Sequence, residues 1–547
     1  MKIVLAALAL LPLAVMAAVS VAADAGAALP DDATLEAAGA RIGTITVLTG
    51  EIFDVADPRE NYAVYRLANR LHRNTRDGAV QANLLFRSGD RYQARLLRET
   101  ERNLRQLDFL REPRVRPVAW HDGLVDVLVE THDVWTLQIG PSFARSGGRN
   151  EASLEVKDVN FFGFGKTLAV GYSKGVDRNS TYFEWRDPAV FLSHWKNAIH
   201  WANNSDGHDR SLQLYRPFYS LDVRHGGGLA VADGAGTDTR YWLGNEYDRY
   251  HHALRLFDVQ AGWSTGLRSG HVLRLTGGWH SENDTFSPEF SGTPPVNAAR
   301  APIPADRDLV YPYLQLEWLT DAFQTTRNRE QIARTEDLQF GPTGFLRLGY
   351  AAPAFGADRH ALVASGRAGN TWQLSGRQLL STGAEFSGRL QDGRVVDLRS
   401  GLDVAWYWRS SRRTLSHVRV RGDSGRALDL DHYFLLGGDS GLRGYPLRYQ
   451  QGSGRAQFTI EERVFTDWSI WRLFDVGGAL FFDAGRTFGS NPIGAPQLGW
   501  LRDLGLGLRL GNNRSSLGNV IHIDLAAPLD GEDIKRLQLL VGATATF

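Results

Sequence analysis

The chain is predicted to be mainly β, an antiparallel transmembrane β-barrel of about 16 strands preceded by a small α+β domain. Three observations predict it. They are an apolar N-terminal segment of export type, a period-two alternation of oily and polar residues over some four hundred positions, and a glycine-rich segment with one arginine, Leu442-Arg443-Gly444-Tyr445.

The export segment comes first. Lys2 precedes the apolar run Ile3 to Val19, and the small residues Ser20-Val21-Ala22-Ala23 follow. This is the layout of a signal peptide, so residues 1–23 are expected to be removed and residues 24–43 to form an N-terminal linker. A retained membrane helix is the alternative, but the run is slightly short for the about 20 residues that span a bilayer. The sequence has no cysteine, so no disulfide framework, lipid-modified cysteine or Cys-based metal site is available.

The 547 residues are too many for one ordinary globular domain. Beyond residue 130 no Pro- or Ser-rich linker divides them, which points to one large closed body. The 61 basic residues are matched by 61 acidic ones, against a nucleic-acid binder, which carries a basic stripe. No later segment is long and apolar enough to span a bilayer as a helix. A membrane protein of this composition is therefore a barrel, because only helices and closed barrels satisfy every backbone group in lipid.

The strand pattern fits. Val396, Leu398, Leu402, Val404, Trp406 and Trp408 alternate with Asp397, Arg399, Asp403 and Tyr407. The same rhythm runs through Val310, Leu314, Leu316 and Trp318 against Gln315 and Glu317, and through Ile521, Ile523 and Leu525 against His522 and Asp524. One face is oily and the other wet. Residues 134–547 are assigned to the barrel. At roughly 26 residues per strand with its turn or loop, that length gives about 16 strands, an even number if both chain ends lie on one side. The Pro-bearing stretch from Asn283 to Asp308 is expected to form an extracellular loop.

Residues 44–133 read as a separate α+β unit: a strand from Thr44 to Leu48, a helix from Tyr62 to His72, and a second helix capped by Asp90 with Leu97, Thr100 and Leu104 on one side. Strands Arg114 to Trp120 and Leu124 to Glu130 close it through a turn at His121-Asp122-Gly123. Its arginines and acids nearly balance, which suits a solvated surface rather than an anion site.

These residues together resemble a family. The order strand, helix, helix, strand, strand, with Leu85-Phe86-Arg87-Ser88-Gly89-Asp90 and Leu107-Asp108-Phe109-Leu110, resembles a POTRA (polypeptide-transport-associated) domain. The rest resembles the bacterial surface antigen barrel of the BamA/TamA superfamily. The marks are Arg443-Gly444-Tyr445 of an inward loop, Phe481-x-Asp483-x-Gly485, and Gly505-x-Gly507-x-Arg509 followed by Asp524-Leu525-Ala526. Asp158-Val159-Asn160-Phe161-Phe162-Gly163-Phe164-Gly165 resembles that family's first periplasmic turn. The resemblance implies a barrel in the outer membrane of a Gram-negative bacterium, with the POTRA-like domain in the periplasm. It further implies insertion or translocation of polypeptides, with outer-membrane lipids, an extended client chain and the cell's own assembly machinery as partners. Two departures stand out. Only one POTRA-like unit fits before the barrel, and the terminal Phe547, a C-terminal insertion signal, has Ala545 where the family's second aromatic usually stands.

Other motifs are discounted. Gly438-Asp439-Ser440-Gly441 and Gly422-Asp423-Ser424-Gly425 match the nucleophile string of trypsin-like proteases, but a triad is set by geometry rather than by a string. Gly165-Lys166-Thr167 resembles a phosphate loop, yet Asn160 stands where its first glycine belongs. Arg421-Gly422-Asp423 reads as a hairpin turn, and His251-His252 lacks metal-ligand spacing on a helix. No catalytic residue, cofactor or metal site is expected.

Three functional classes remain. The leading one is a polypeptide-transporting or inserting barrel, in which Arg443 pairs with the lumen partner Asp483. The second is a porin-like diffusion channel or a structural outer-membrane barrel without transport of polypeptides, and diffusion would explain the barrel but not a periplasmic domain or a plugged lumen. A barrel enzyme needs an activated nucleophile, and none is singled out. For the leading class, strand edges at Thr44 to Leu48 or Arg114 to Trp120 would receive an extended client. The first strand, about Val134 to Phe143, and the last, Leu537 to Phe547, would meet in a seam weakened by Pro141 and Gly542.

Overall fold

The computed structural model describes residues 29–289, 301–512, 514–516, 520–531, 534 and 537–544. The expected signal peptide, residues 1–23, lies outside them, as do Ala545 and Phe547. Among the described residues, 20 strands from Leu137–Ser146 to Gln538–Thr544 pair in sequence order and close on themselves as one antiparallel barrel. The expected even number is met and the expected 16 is not. The estimate allowed too much chain for the connections. Turns of two residues at 147–148, 205–206, 243–244, 376–377 and 392–393 join strands of up to 20 residues.

Alternation builds the wall. Leu402 is 65% exposed on the outside and Leu314 61%, while Asp483, Asp503 and Asp524 on the inside are at most 2% exposed. An oily outer wall of this kind belongs in a bilayer, where a closed ladder leaves no backbone group unsatisfied. The alternation slips within a stretch that the sequence reads as regular. A bulge opposite Ser387 and Arg389 puts Asp397 at φ 48°, so Val395 pairs with outward Leu390 while Val396 pairs with inward Arg389. The stretch from Asn283 to Asp308 is not wholly a loop either, because the strand His271–Glu289 carries Pro288 opposite Tyr250 and the next strand starts at Arg307. Arg421-Gly422-Asp423 lies within strand Thr414–Arg426 rather than in a turn.

The N-terminal unit begins before residue 44. Helix Asp32–Ala37, capped by Asp31, buries Leu35 in the same core as Ile42, Phe86, Leu97, Leu104 and Val127. Strand Arg41–Gly50 follows, then helices Ala63–Leu71, Asp77–Gln81 and Ala94–Arg105, and strands Leu110–His121 and Leu124–Asp133. Asp90 accepts from the Arg87 amide instead of capping the last helix, whose N-cap position is Gln93. Leu124–Asp133 is central, parallel to Arg41–Gly50 and antiparallel to Leu110–His121, so both outer strands are sheet edges.

This unit sits against one rim of the barrel. Asp133 accepts from the Thr75 amide and hydroxyl at 2.7 Å each, Asn160 Nδ2 donates to Thr75 Oγ1 at 2.8 Å, and Gly165 N donates to Asn160 Oδ1 at 2.7 Å. The glycines of that barrel turn serve close approach. A Cβ on Gly163 would lie 2.4 Å from the Asn74 carbonyl oxygen, and one on Gly165 2.7 Å from the Phe109 ring. Across the rim, Arg514 donates to Ile52 O and pairs with Glu60.

Candidate functional site

The segment between strands Thr414–Arg426 and Gly454–Ile470 starts at the rim opposite the N-terminal unit. It forms a small hairpin, Phe434–Leu436 with Gln450–Gly452, and packs Leu436, Leu442 and Tyr445 with Leu501, each at most 3% exposed. Glycines let it turn there. A Cβ on Gly437 would lie 2.3 Å from Pro446 O, and one on Gly444 2.6 Å from Asp503 Cβ.

Arg443 projects from this loop onto three barrel strands, Gly454–Ile470, Phe474–Phe488 and Val520–Pro528. Its Nε donates to Asp483 Oδ2 at 2.7 Å, Nη2 to Asp483 Oδ1 at 3.0 Å, and Nη1 to Glu461 Oε2 at 2.9 Å. Asp524 lies 3.8 Å from Nη1, and the guanidinium stacks 3.3 Å above the Phe481 ring. This is the bidentate geometry for which a lysine is no substitute. Thr459 Oγ1 donates to Asp483 at 2.9 Å, and Arg509 pairs with Asp524. The strand glycines make room: a Cβ on Gly505 would strike the Phe481 ring, one on Gly507 would strike Asp524, and one on Gly485 would crowd Leu436 at 3.1 Å. Tyr445 donates to Arg502 O at 2.8 Å and to Asp530 O at 3.2 Å.

The sequence reading missed a second insertion. From the opposite rim, a hairpin of Phe323–Arg327 and Thr335–Gln339 sends its tip into the same network. Ile332 packs among Ala405, Tyr407, Leu415, Phe465 and Ala479, in space left by Gly477 and Gly511. Glu336 shapes the tip by accepting from the amides of Arg329, Glu330 and Gln331 at 3.0 to 3.3 Å, and burial raises its pKa against the pull of those donors. Glu330 pairs with Arg463 at 3.4 Å and with the Tyr407 hydroxyl, and Arg463 Nε donates to Glu461 Oε1 at 2.9 Å. At its base the hairpin meets the N-terminal unit, where Arg105 grips Asp337 at 2.7 and 2.9 Å and Glu112 pairs with Arg327 at 2.9 Å. Its only sequence signal was a polar stretch between two strands.

The ring closes thinly. Among the described residues, Val541 opposite Arg145 is the one register pair between the first and last strands. The ladders beside it run from Val520↔Thr544 to Ala526↔Gln538 and from Leu137↔Asp158 to Ser146↔Arg149. The inward loop bridges this junction from inside, since Ser146 Oγ donates to Gly438 O at 2.8 Å while Tyr445 holds Arg502 and Asp530 on the other flank.

The discounted motifs take structural roles. Asp423 pairs with Arg421 and Arg455, and His252 lies between Asp238 and Asp284. Asp397, Asp429 and His432 approach one another closely enough to share an ion, but Arg389 and Arg307 already pair with Asp429.

No family model matches the chain, and no curated protein does. Among solved structures it is similar to a BamA from Haemophilus ducreyi lacking POTRA domains 1–3, at 13% identity, 92% of this chain, 85% of that one and a TM-score of 0.39. It is also similar to CdiB from Acinetobacter baumannii (13%, 92%, 73%, 0.45) and CdiB from Escherichia coli (11%, 92%, 76%, 0.46), in the same order of quantities.

Proposed function

We propose that this chain inserts or translocates polypeptides at the outer membrane of a Gram-negative bacterium. A client enters from the periplasm by adding to an edge of the small POTRA-like sheet, because extended backbone pairs with an open strand edge without needing side-chain specificity. It leaves through the seam between the first and last strands, into the lipid or to the cell surface. The observation that carries this reading is the pairing of Val541 with Arg145 as the closing contact, bridged inside by a loop that Arg443 fixes. Closure abolishes sheet edges only as well as its last pair holds.

Diffusion is the second reading. A cavity of about 460 Å³ lined by Glu317, Arg367, Glu385, Asp403 and Arg421 favours it, and the loop and hairpin that fill the opposite side of the lumen oppose it. The test is the double variant Arg145→Cys and Val541→Cys, expressed as the only copy in the parent organism. Loss of outer-membrane or surface proteins when the lock is oxidised, with recovery on reduction, is the expected result. Full function with the seam locked overturns lateral opening, and a steady large conductance of the wild-type protein in planar bilayers supports diffusion.

A further inference from the structure

Helix Ala63–Leu71 of the N-terminal unit is amphipathic in an unexpected sense, because its apolar stripe faces outward. Val64, Leu67 and Leu71 recur at helical spacing and are 64%, 52% and 64% exposed. The helix is nonetheless firmly placed. Tyr65, on its buried side, stacks on Phe53 with ring centroids 4.3 Å apart and donates its hydroxyl to the Trp471 carbonyl at 2.8 Å. Trp471 lies in the turn between barrel strands Gly454–Ile470 and Phe474–Phe488, so the helix is one hydrogen bond from the rim of the lipid-facing wall.

That rim is rich in exposed aromatic groups. Trp468 and Trp471 are about three-quarters exposed, and at the same end of the barrel Phe162 and Phe191 project from the turns at 159–166 and 188–195. Tryptophan rings gather where a barrel wall meets the headgroups. On the helix itself, Arg66 and Arg70 are exposed and line the Leu67 edge of the stripe, Arg66 also donating to Asn61 Oδ1 at 2.6 Å. An apolar stripe edged by arginine is the pattern of a helix lying in the plane of a membrane surface, its oily side among the acyl chains and its cations at the phosphates.

We infer that helix Ala63–Leu71 docks on phospholipid, in the leaflet that faces the N-terminal unit, and holds that unit against the membrane close to the barrel's closing junction. Continuity with the lipid-facing wall through Trp471, together with these arginines, selects lipid over a second protein surface. The inference rests on the barrel lying in a bilayer, not on its transporting polypeptide.

The chain has no cysteine, so single labels are clean. Leu67→Cys, Arg70→Cys and, on the barrel wall, Leu402→Cys are each labelled with an environment-sensitive fluorophore in the full-length protein, reconstituted into phosphatidylethanolamine–phosphatidylglycerol vesicles. Heat-modifiable migration confirms that each barrel is folded. The label at 67 is expected to emit blue-shifted, to resist quenching by iodide and to be quenched by lipids spin-labelled near the headgroup, while the label at 70 stays open to iodide. The label at 402 reports the wall in the same preparation. If 67 is as accessible to iodide as 70, or if its protection disappears when the protein is diluted in lipid, the stripe lies in water or on a second copy and the inference fails.

Discussion

Arg463 Nε donates to Glu461 Oε1 at 2.9 Å, and the other oxygen of that carboxylate accepts from Arg443 Nη1 at 2.9 Å. One buried acid thus joins the loop that enters from one rim to the hairpin that enters from the other, since Arg463 also meets Glu330. Arg443→Ala takes from Asp483 the arginine it pairs with and leaves Glu461 with Arg463 alone, and stranding a buried charge in this way costs about 3–5 kcal/mol. The expected result is a lower midpoint in urea unfolding from lipid vesicles and a proteolytically sensitive loop 427–453. Arg443→Lys recovers only part of the loss, because a single ammonium cannot reproduce the fork on Asp483.

The hairpin that enters from the rim carrying the N-terminal unit is expected to obstruct the lumen independently of the loop. Ile332→Ala removes the side chain that fills the space above Gly477 and Gly511, a loss of about 2–5 kcal/mol for a buried aliphatic residue. Deletion of residues 323–339 should raise single-channel conductance well above that of the wild type, and Ile332→Ala should produce brief openings. Unchanged conductance after the deletion would show that the loop alone blocks the lumen.

These contacts separate what the sequence reveals from what it hides. Arg443 and Asp483 were legible as partners because each sits in a short glycine-marked motif, and Gly444, Gly485, Gly505 and Gly507 are small for reasons visible in the contacts a Cβ would make. Glu461 and Arg463 carried no such mark, being two polar residues in an alternating strand. The strand rhythm was readable in long stretches, but the count fell short because turns such as Gly147-Gly148 take far less chain than loops, and the bulge at Asp397 moved Val396 to the inner face. The hairpin tip could not be read at all. Ile332 and Glu330 have their partners more than seventy residues away, and local pattern holds no trace of such contacts.

Acid should loosen the inward loop at the rim opposite the N-terminal unit. Arg448 grips Asp177 in the turn at 175–178 with two hydrogen bonds of 2.7 Å, and the Tyr241 hydroxyl donates to the same carboxylate at 2.6 Å. Burial raises the Asp177 pKa, but the Arg448 and Tyr241 bonds outweigh it and the net direction is down. A carboxyl depressed in the folded state contributes stability above its unfolded pKa of about 3.9, and that contribution is lost as pH falls through the lower folded value. Protease accessibility of loop 427–453 should therefore be flat from neutral pH to about 4 and rise below it. Asp439, 3.6 Å from Arg448, weakens the effect without reversing it. Asp177→Asn should be more accessible at neutral pH and lose this acid step, and an identical step in that variant would assign it to another carboxyl.

The N-terminal unit and the hairpin should be energetically coupled through Arg105 and Asp337. Their two hydrogen bonds, at 2.7 and 2.9 Å, join helix Ala94–Arg105 to the strand Thr335–Gln339, and both side chains are less than one-fifth exposed. Hydrogen bonds to charged groups contribute about 1.5–3 kcal/mol, so Arg105→Ala or Asp337→Ala alone should speed amide exchange across residues 323–339 by roughly one to two orders of magnitude. Because Arg105 also pairs with Glu101, its single variant carries an additional local cost. The double variant separates the two. If the pair couples the unit to the hairpin, Arg105→Ala with Asp337→Ala should be less disturbed than the sum of the single variants. Strict additivity, with exchange in the hairpin tip unchanged, would mean that the N-terminal unit rests on the hairpin without steadying it.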